Sequence, residues 1–315
     1  MRAYVLRRCL LALVQCVLVL IAVFAVGSLL PGDTADVLRG ELGTPEQVEA
    51  LRTQLGLDEP AWTRFWHWLA HLLTGDPGHS LTTGLPVGDD IGRRVGVTLL
   101  LGIPALLLVT VLAPVVGTVS GLREGSGLDR ALNTAAVVLH AVPEFVFGLL
   151  LIASVSLAAG LLPATAVGMD RAAVLAQPSV LVLPVIVLTA RQLCDLARQI
   201  RAGVAQQRHS PVAEHLRLLG VRERTVVLRH VLPLALGPAA QQYARCVEGL
   251  LGGAVLVEAV FGFRGMGEGF VESVQNRDLP QVQTYALLFA GTAIVVNLLG
   301  DLVAHRLAPR REVTA

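Results

Sequence analysis

Arg245 and Glu248 stand three residues apart inside an apolar run, 234–258. An unpaired charge there costs at least about 2.5 kcal/mol by insertion scales, so each must be bonded within the protein or face water. Gln241 and Gln242 precede them, Asn297 and Asp301 lie in the last apolar run, and Glu144 follows Pro143 in another. Polar groups so placed either replace the water lost by a passing solute or bridge neighbouring helices. The residue types alone leave both readings open. Elsewhere, His67 and His71 share a helix face at i, i+4 with His79 nearby, a spacing that can hold a metal. No carboxylate follows His67 as in H-E-x-x-H, and an interfacial helix accounts for both histidines, so no metal site is expected. The run GFRGMGEG resembles a phosphate loop only superficially, because it follows an apolar span and lacks a βαβ context.

What is missing narrows the chemistry further. All 25 basic residues are arginine, which rules out a P-loop lysine and a Schiff-base lysine. No serine, histidine and acid converge in sequence, and no paired carboxylates stand out for hydrolysis, so catalysis is not expected. Cys9, Cys16, Cys194 and Cys246 show no C-x-x-C spacing and read as small apolar fillers. With a net charge of +1, no global field attracts nucleic acid.

The elements that position these groups are membrane spans. The 315 residues are 54% hydrophobic and 16% charged, where soluble domains average about 25% charged. Six segments reach the roughly 20 apolar residues a span needs: 9–30, 95–120, 131–159, 174–194, 234–258 and 282–305. The expected fold is an all-α polytopic membrane protein. It comprises an N-terminal transmembrane helix over 1–30, an extracytoplasmic subdomain over 31–94, and a five-helix core over 95–315 with a cytoplasmic loop at 195–233. Because no small-x-small site precedes Pro31, the first span reads as an anchor rather than a cleaved signal. Fifteen arginines flank one side and eight the other, which places both termini and the 195–233 loop in the cytoplasm. In the outer segment, TPEQVEALRTQLGLDEP reads as a capped helix beginning at Thr44 with Pro45 first, and AWTRFWHWLAHLLTGD as an aromatic helix at the membrane surface carrying Trp62, Trp66 and Trp68.

The loop contains SPVAEHLRLLGVRERTVVLRHVLP, residues 210–233. Ser210 can cap a helix with Pro211 in its first position, and Val212, Leu216 and Leu219 form an apolar stripe at i, i+4 and i+7. Gly220 supplies the left-handed residue that ends it, and a second helical run ends near Pro233. Two amphipathic pieces are more than a connector requires, so the loop reads as a docking element.

Glu214, Gly220, Leu232 and Pro233 resemble the glutamate, glycine and leucine-proline signature of membrane subunits of ATP-binding-cassette importers. The resemblance narrows to the dipeptide, oligopeptide and nickel permease family through LLPGD, LGLDEP, GDPGHS, VPEFVFGLLL, RHVLPLALGP, LLGGAVLVEAVF, GMGEGFVESVQNRDLPQVQ and VNLLGDLVAHRLAPR, in order along nearly all the chain. It implies a bacterial inner-membrane subunit that pairs with a second, homologous permease. Two ABC ATPase subunits, from one or two genes, would carry the ATP and magnesium, leaving no cofactor on this chain. An extracytoplasmic binding protein would deliver a peptide-like solute. The docking set it implies is Val212, Glu214, Leu216, Arg217, Leu219, Gly220, Arg222 and Arg224, with Arg217, Arg222 and Arg224 meeting acidic groups at the partner's rim. Glu144, Gln241, Arg245, Glu248 and Asn297 are candidates for the translocation path. Pro211, Val212, His215 and Leu219 depart from the alanine-rich, lysine-containing residues usual in that loop. Two other classes compete: an ion-coupled transporter with Arg245, Glu248 and Asp301 as a relay, and a membrane sensor or scaffold.

Overall fold

The computed structural model describes residues 2–29, 34–39, 44–54 and 56–307. In chain order its helices are α1 (Arg2–Leu29), α2 (Thr34–Arg39), α3 (Pro45–Gln54), α4 (Ala61–Leu73), α5 (Val87–Leu122), α6 (Gly127–Ala141), α7 (Glu144–Leu151), α8 (Arg171–Ala176), α9 (Val182–Arg208), α10 (Pro211–Leu218), α11 (Glu223–Val226), α12 (Leu232–Phe261), α13 (Met266–Gln275) and α14 (Leu279–Leu307). Apart from an isolated bridge between His79 and Pro86, no strand occurs among the described residues. Leu30 to Asp33, which close the LLPGD match, and Arg310 and Arg311 lie outside the described residues.

The protein is an all-α polytopic membrane protein, though not a row of six uniform spans. Four helical runs, in α1, in α5, over Pro178–Arg208 and in α14, are long and apolar enough to cross a membrane; two sharply bent pairs bring the number to as many as six. The expected span 131–159 is one of these pairs: Gly127–Ala141 and Glu144–Ala158 meet at 103°. Proline disfavours helical geometry in the residue before it, and Val142 is accordingly extended at φ −83°, ψ 124°. The expected span 174–194 begins at Pro178 and runs on to Arg208, so the first part of the presumed loop is helix. Leu196, Ala197, Ile200, Val204 and Ala205 continue its buried face. Nor does the second run of the loop stop at Pro233. Helix continues from Glu223 to Phe261 through a widened π turn at Val227–Val231, just ahead of the proline nitrogen that cannot donate.

α5 and α9 form the centre. Gly117 and Gly121 of α5 let the backbone of α9 approach so closely that a Cβ at either would lie 2.6 Å from the Ala197 carbonyl or 2.8 Å from that of Arg201. Small residues one turn apart are the usual means by which membrane helices gain contact without a hydrophobic driving force. α12 lies against α9, α14 against α12, and α1 against α14. The apolar window of α1 is unburied within the chain. Arg8 of α1 pairs with Asp301 of α14 at 2.6 Å, and Gln241 of α12 donates to the same carboxylate at 3.3 Å. The start of α1 and the end of α14 therefore lie at the end of the bundle where α10 sits.

The opposite end is fastened by polar contacts from the segment between α1 and α5. Thr34 donates to the Arg277 carbonyl at 2.6 Å, while Ser80 and Thr82 donate to the buried Asp278 carboxylate at 2.5 and 2.9 Å. Thr44 and Gln47 form the reciprocal cap expected at the start of α3. α4 packs Phe65 against Phe24 of α1 at 5.0 Å and leaves Trp62 and Trp66 exposed. Here α12 ends and α13 turns away by 80°. Glu258, fully buried, holds the bend by accepting from Thr98 Oγ1 (2.5 Å) and from the amides of Gly267 (2.8 Å) and Glu268 (3.2 Å). Its carboxylate thus satisfies the free amides at the start of α13. The glycines of GFRGMGEG make room for an internal anion: a Cβ at Gly265 would lie 2.1 Å from Glu258 Oε1. Gly265→Ala should therefore cost about 2 kcal/mol through overpacking. Gly291→Ala in α14, where nothing lies within 4 Å of the added carbon, should cost nothing. Thermal melts of the two purified variants check this.

Candidate functional site

Ser210 begins α10 as a side-chain cap, its hydroxyl accepting from the Ala213 amide at 3.3 Å, with Pro211 in the first turn. α10 ends at Leu218, and Gly220 follows in the left-handed region at φ 75°, letting the Val221 amide return to the Leu216 carbonyl at 3.1 Å. The stripe expected from spacing is turned from its predicted aspect. Leu216 packs inward beside Ala213, against the cluster that holds Val226 and Val231. The outward apolar residues are Val212, Leu219 (67% exposed) and Leu218 (86%). Leu218, the last residue of α10, lies off the stripe of Val212, Leu216 and Leu219 and was not expected to face outward as an apolar contact. Glu214 is exposed.

Arg217, expected at a partner's rim, is bound within the chain. Its guanidinium donates to both Glu223 oxygens at 2.8 and 2.9 Å and to the Arg208 carbonyl at 2.8 Å. The hydrogen bond with Glu223 raises its pKa and keeps it charged. Arg222 and Arg224 are exposed and make no ion pair among the described residues, so they remain available to acidic groups. α10 is thereby tied to the end of α9 and to the start of the helix that becomes α12. Beneath it, buried Asp129 accepts from Arg201 at 2.6 and 2.7 Å, from Ser120 at 2.5 Å and from the Gly125 amide at 3.0 Å. Arg208 closes the same corner by donating to the Leu122 carbonyl. Sequence spacing gave no sign of this long-range pair, because the two residues lie 72 positions apart.

The intramembrane polar residues fall into separate groups. Arg245 and Glu248 do not bond each other: Arg245 donates to Gln242 at 2.8 and 3.1 Å, and Glu248 accepts from Asn297 of α14. Gln241 is spent on Asp301. Gln241, Glu248 and Asn297 thus make contacts between α12 and α14. Glu144 lies apart from them, at the foot of the broken third span, 3.8 Å from Arg191 Nε. Among the described residues no group of three or more metal-ligating side chains converges; His67 and His71 lie near Glu59 and Asp76 respectively.

The fold is that of a polytopic membrane protein, a bundle of spanning and broken helices with an exposed amphipathic helix tied by hydrogen bonds to two of them. Comparison with known proteins identifies its kind. Residues 113–313 match the family of binding-protein-dependent transport system inner membrane components, and residues 1–85 match the N-terminal family of such membrane components. The chain belongs to this family. It is similar to the glutathione transport system permease protein GsiC of Escherichia coli, at 33% identity over 306 residues and 97% of both chains. The proteins of that name from Shigella dysenteriae and Salmonella typhi match equally. The chain is the inner-membrane permease subunit of an ABC importer, a translocation component rather than an enzyme, and works with ATPase and solute-binding partners. Breaking a buried charge pair costs about 3 kcal/mol or more. Asp129→Ala should accordingly lower the thermal midpoint and yield of the purified importer much more than Glu214→Ala does.

Proposed function

We propose that this chain imports a small peptide-like solute by alternating access, with α10 as the element that receives the force of ATP hydrolysis. The observation that carries the reading is an eight-residue helix with exposed Val212, Leu218 and Leu219, stopped at Gly220 and flanked by the free cations Arg222 and Arg224. Full burial of an aliphatic side chain contributes roughly 1.5 to 3 kcal/mol, so three give a firm but reversible seat in a groove of an ABC ATPase. The two arginines add specificity and encounter rate more than affinity. Leu216, Arg217 and Glu214 act from behind: Leu216 anchors α10 in the core, Arg217 fixes it to α9 and α11, and Glu214 braces the loop.

A second, homologous permease completes the membrane unit, and two ATPase subunits from one or two genes hold the ATP and magnesium. A binding protein delivers solute to the face that carries α4 and the segment 31–94. The bundle end that gathers α10, the start of α1 and the end of α14 is cytoplasmic, in line with the arginine excess there. Similarity to the glutathione permeases supports a peptide solute with at least one carboxylate. Glu144 is the member of the intramembrane set best placed for a path, since the others bridge helices or, in the case of Arg245, bond within their own helix.

Gly220→Val is strained by conformation alone, since nothing lies within 4 Å of its added carbon. That variant, reconstituted with its partners, should insert normally and lose solute-stimulated ATP turnover. Normal coupling would defeat the proposal. Glu214→Cys in a cysteine-free chain should react with a membrane-impermeant maleimide only in inverted vesicles. Labelling of intact cells would reverse the topology.

A further inference from the structure

Arg191, Asp195 and Arg198 recur at i, i+4 and i+7 and share one face of α9. The break in the third span brings His140 and Glu144, from the two sides of Pro143, against that face. His140 Nδ1 lies 3.2 Å from Asp195 without a hydrogen bond, and Arg198 donates to the same carboxylate at 3.1 Å, so Asp195 has a cation of its own. Arg191 is not so closely matched. Its Nε lies 3.8 Å from Glu144, beyond a hydrogen bond, and among the described residues no hydrogen bond engages either terminal nitrogen. The side chain is 42% exposed, whereas that of Glu144 is 12% exposed. The Glu144 carboxylate lies against the bare Cα of Gly253, where a Cβ would lie 2.5 Å from Oε2. Arg191 stands nine residues along α9, inside the apolar run 174–194. An open guanidinium in such a run must meet water or an anion.

We infer that Arg191 lines the translocation path and takes the terminal carboxylate of the solute in a bidentate grip, with Glu144 as the positioning residue behind it. Arginine presents a planar fork that matches a carboxylate with two parallel bonds, which lysine does not. Glu144, held at a distance, fixes the direction of the guanidinium without occupying its two terminal nitrogens. A carboxylate passing through the membrane thereby exchanges part of its hydration for the fork. This rests on the proposal above that the solute is a peptide.

The test uses the complete importer in proteoliposomes with saturating binding protein, comparing uptake of glutathione with that of its glycyl ethyl ester. Arg191→Gln should lower uptake of the free acid about tenfold, the weight of one charged hydrogen-bonded contact, and change uptake of the ester less than about twofold. Arg191→Lys, which keeps the charge and loses the fork, should fall between. Equal losses for acid and ester, as expected if Arg191 instead meets a carboxylate of the second permease, would overturn the inference. So would no loss for either. If the glutamine variant fails to assemble, the lysine variant decides: a fall of at least about threefold in the acid-to-ester ratio supports the assignment, and an unchanged ratio sinks it. Wild-type importer that moves neither compound defeats the peptide-solute reading itself, an outcome separate from any shift in ratio between variants.

Discussion

Charge inside an apolar layer has to be answered, and the arrangement of this chain follows from the way each answer is made. Glu258 is answered by the amides of another helix, which fixes the 80° turn at one end. Asp129 is answered by Arg201 and ties α6 to α9 at the other. Asp301 is answered by Arg8 and holds α1, whose apolar window is unburied within the chain, to α14. Each of these joins elements that apolar contact alone would hold weakly, because lipid tails compete equally well for an aliphatic surface. The directional polar contacts therefore set the geometry, and the apolar residues fill it.

Much of this was legible beforehand, and the failures have specific causes. Ser210, Pro211 and Gly220 declared a helix start and stop because capping and left-handed geometry are local properties, and Thr44 did so for the same reason. The apolar runs were visible because a span must satisfy a length. The end of the fourth span was not, because α9 changes from apolar all round to amphipathic at Arg191 while remaining one helix, and composition registers only the first part. Pro104, Pro114 and Pro143 look alike in sequence. The first two sit inside α5, whereas Pro143 breaks its span. Local residue type does not distinguish them, since neighbours decide whether the lost hydrogen bond is made good. The inward turn of Leu216 had the same origin: Val212, Leu216 and Leu219 do share an arc, but the core reached by Ala213 claimed one edge of it.

The glycine-rich loop shows how motif and fold can be read apart. GFRGMGEG has the composition of an anion-binding loop and serves as one, for an anion the chain itself supplies. Glu258 occupies the position a phosphate would take in front of α13. The physical reason for the glycines is the same in both cases, namely close approach of backbone amides to a charged group. Only the distance from Glu258 to the loop, invisible in a list of residue types, reveals that the site is already filled.

The same contacts suggest how a push on α10 reaches the membrane interior. Arg217 joins α10 to the Arg208 carbonyl at the end of α9 and to Glu223, the first residue of the helix that continues as α12. From Arg208, α9 runs about 25 Å without interruption back to Arg191. α12 runs from the same corner past Gly253, against which the Glu144 carboxylate lies. If α10 is displaced as proposed, the two packed helices tied to it would move with it, and these are the helices that hold the two sides of the Arg191–Glu144 pair. The third span, broken at Pro143, packs both of its halves against α9 and its second half against α12. Force applied at Leu218 and Leu219 would thus be delivered to the place where the guanidinium is exposed, through backbone and close packing rather than through a chain of side chains.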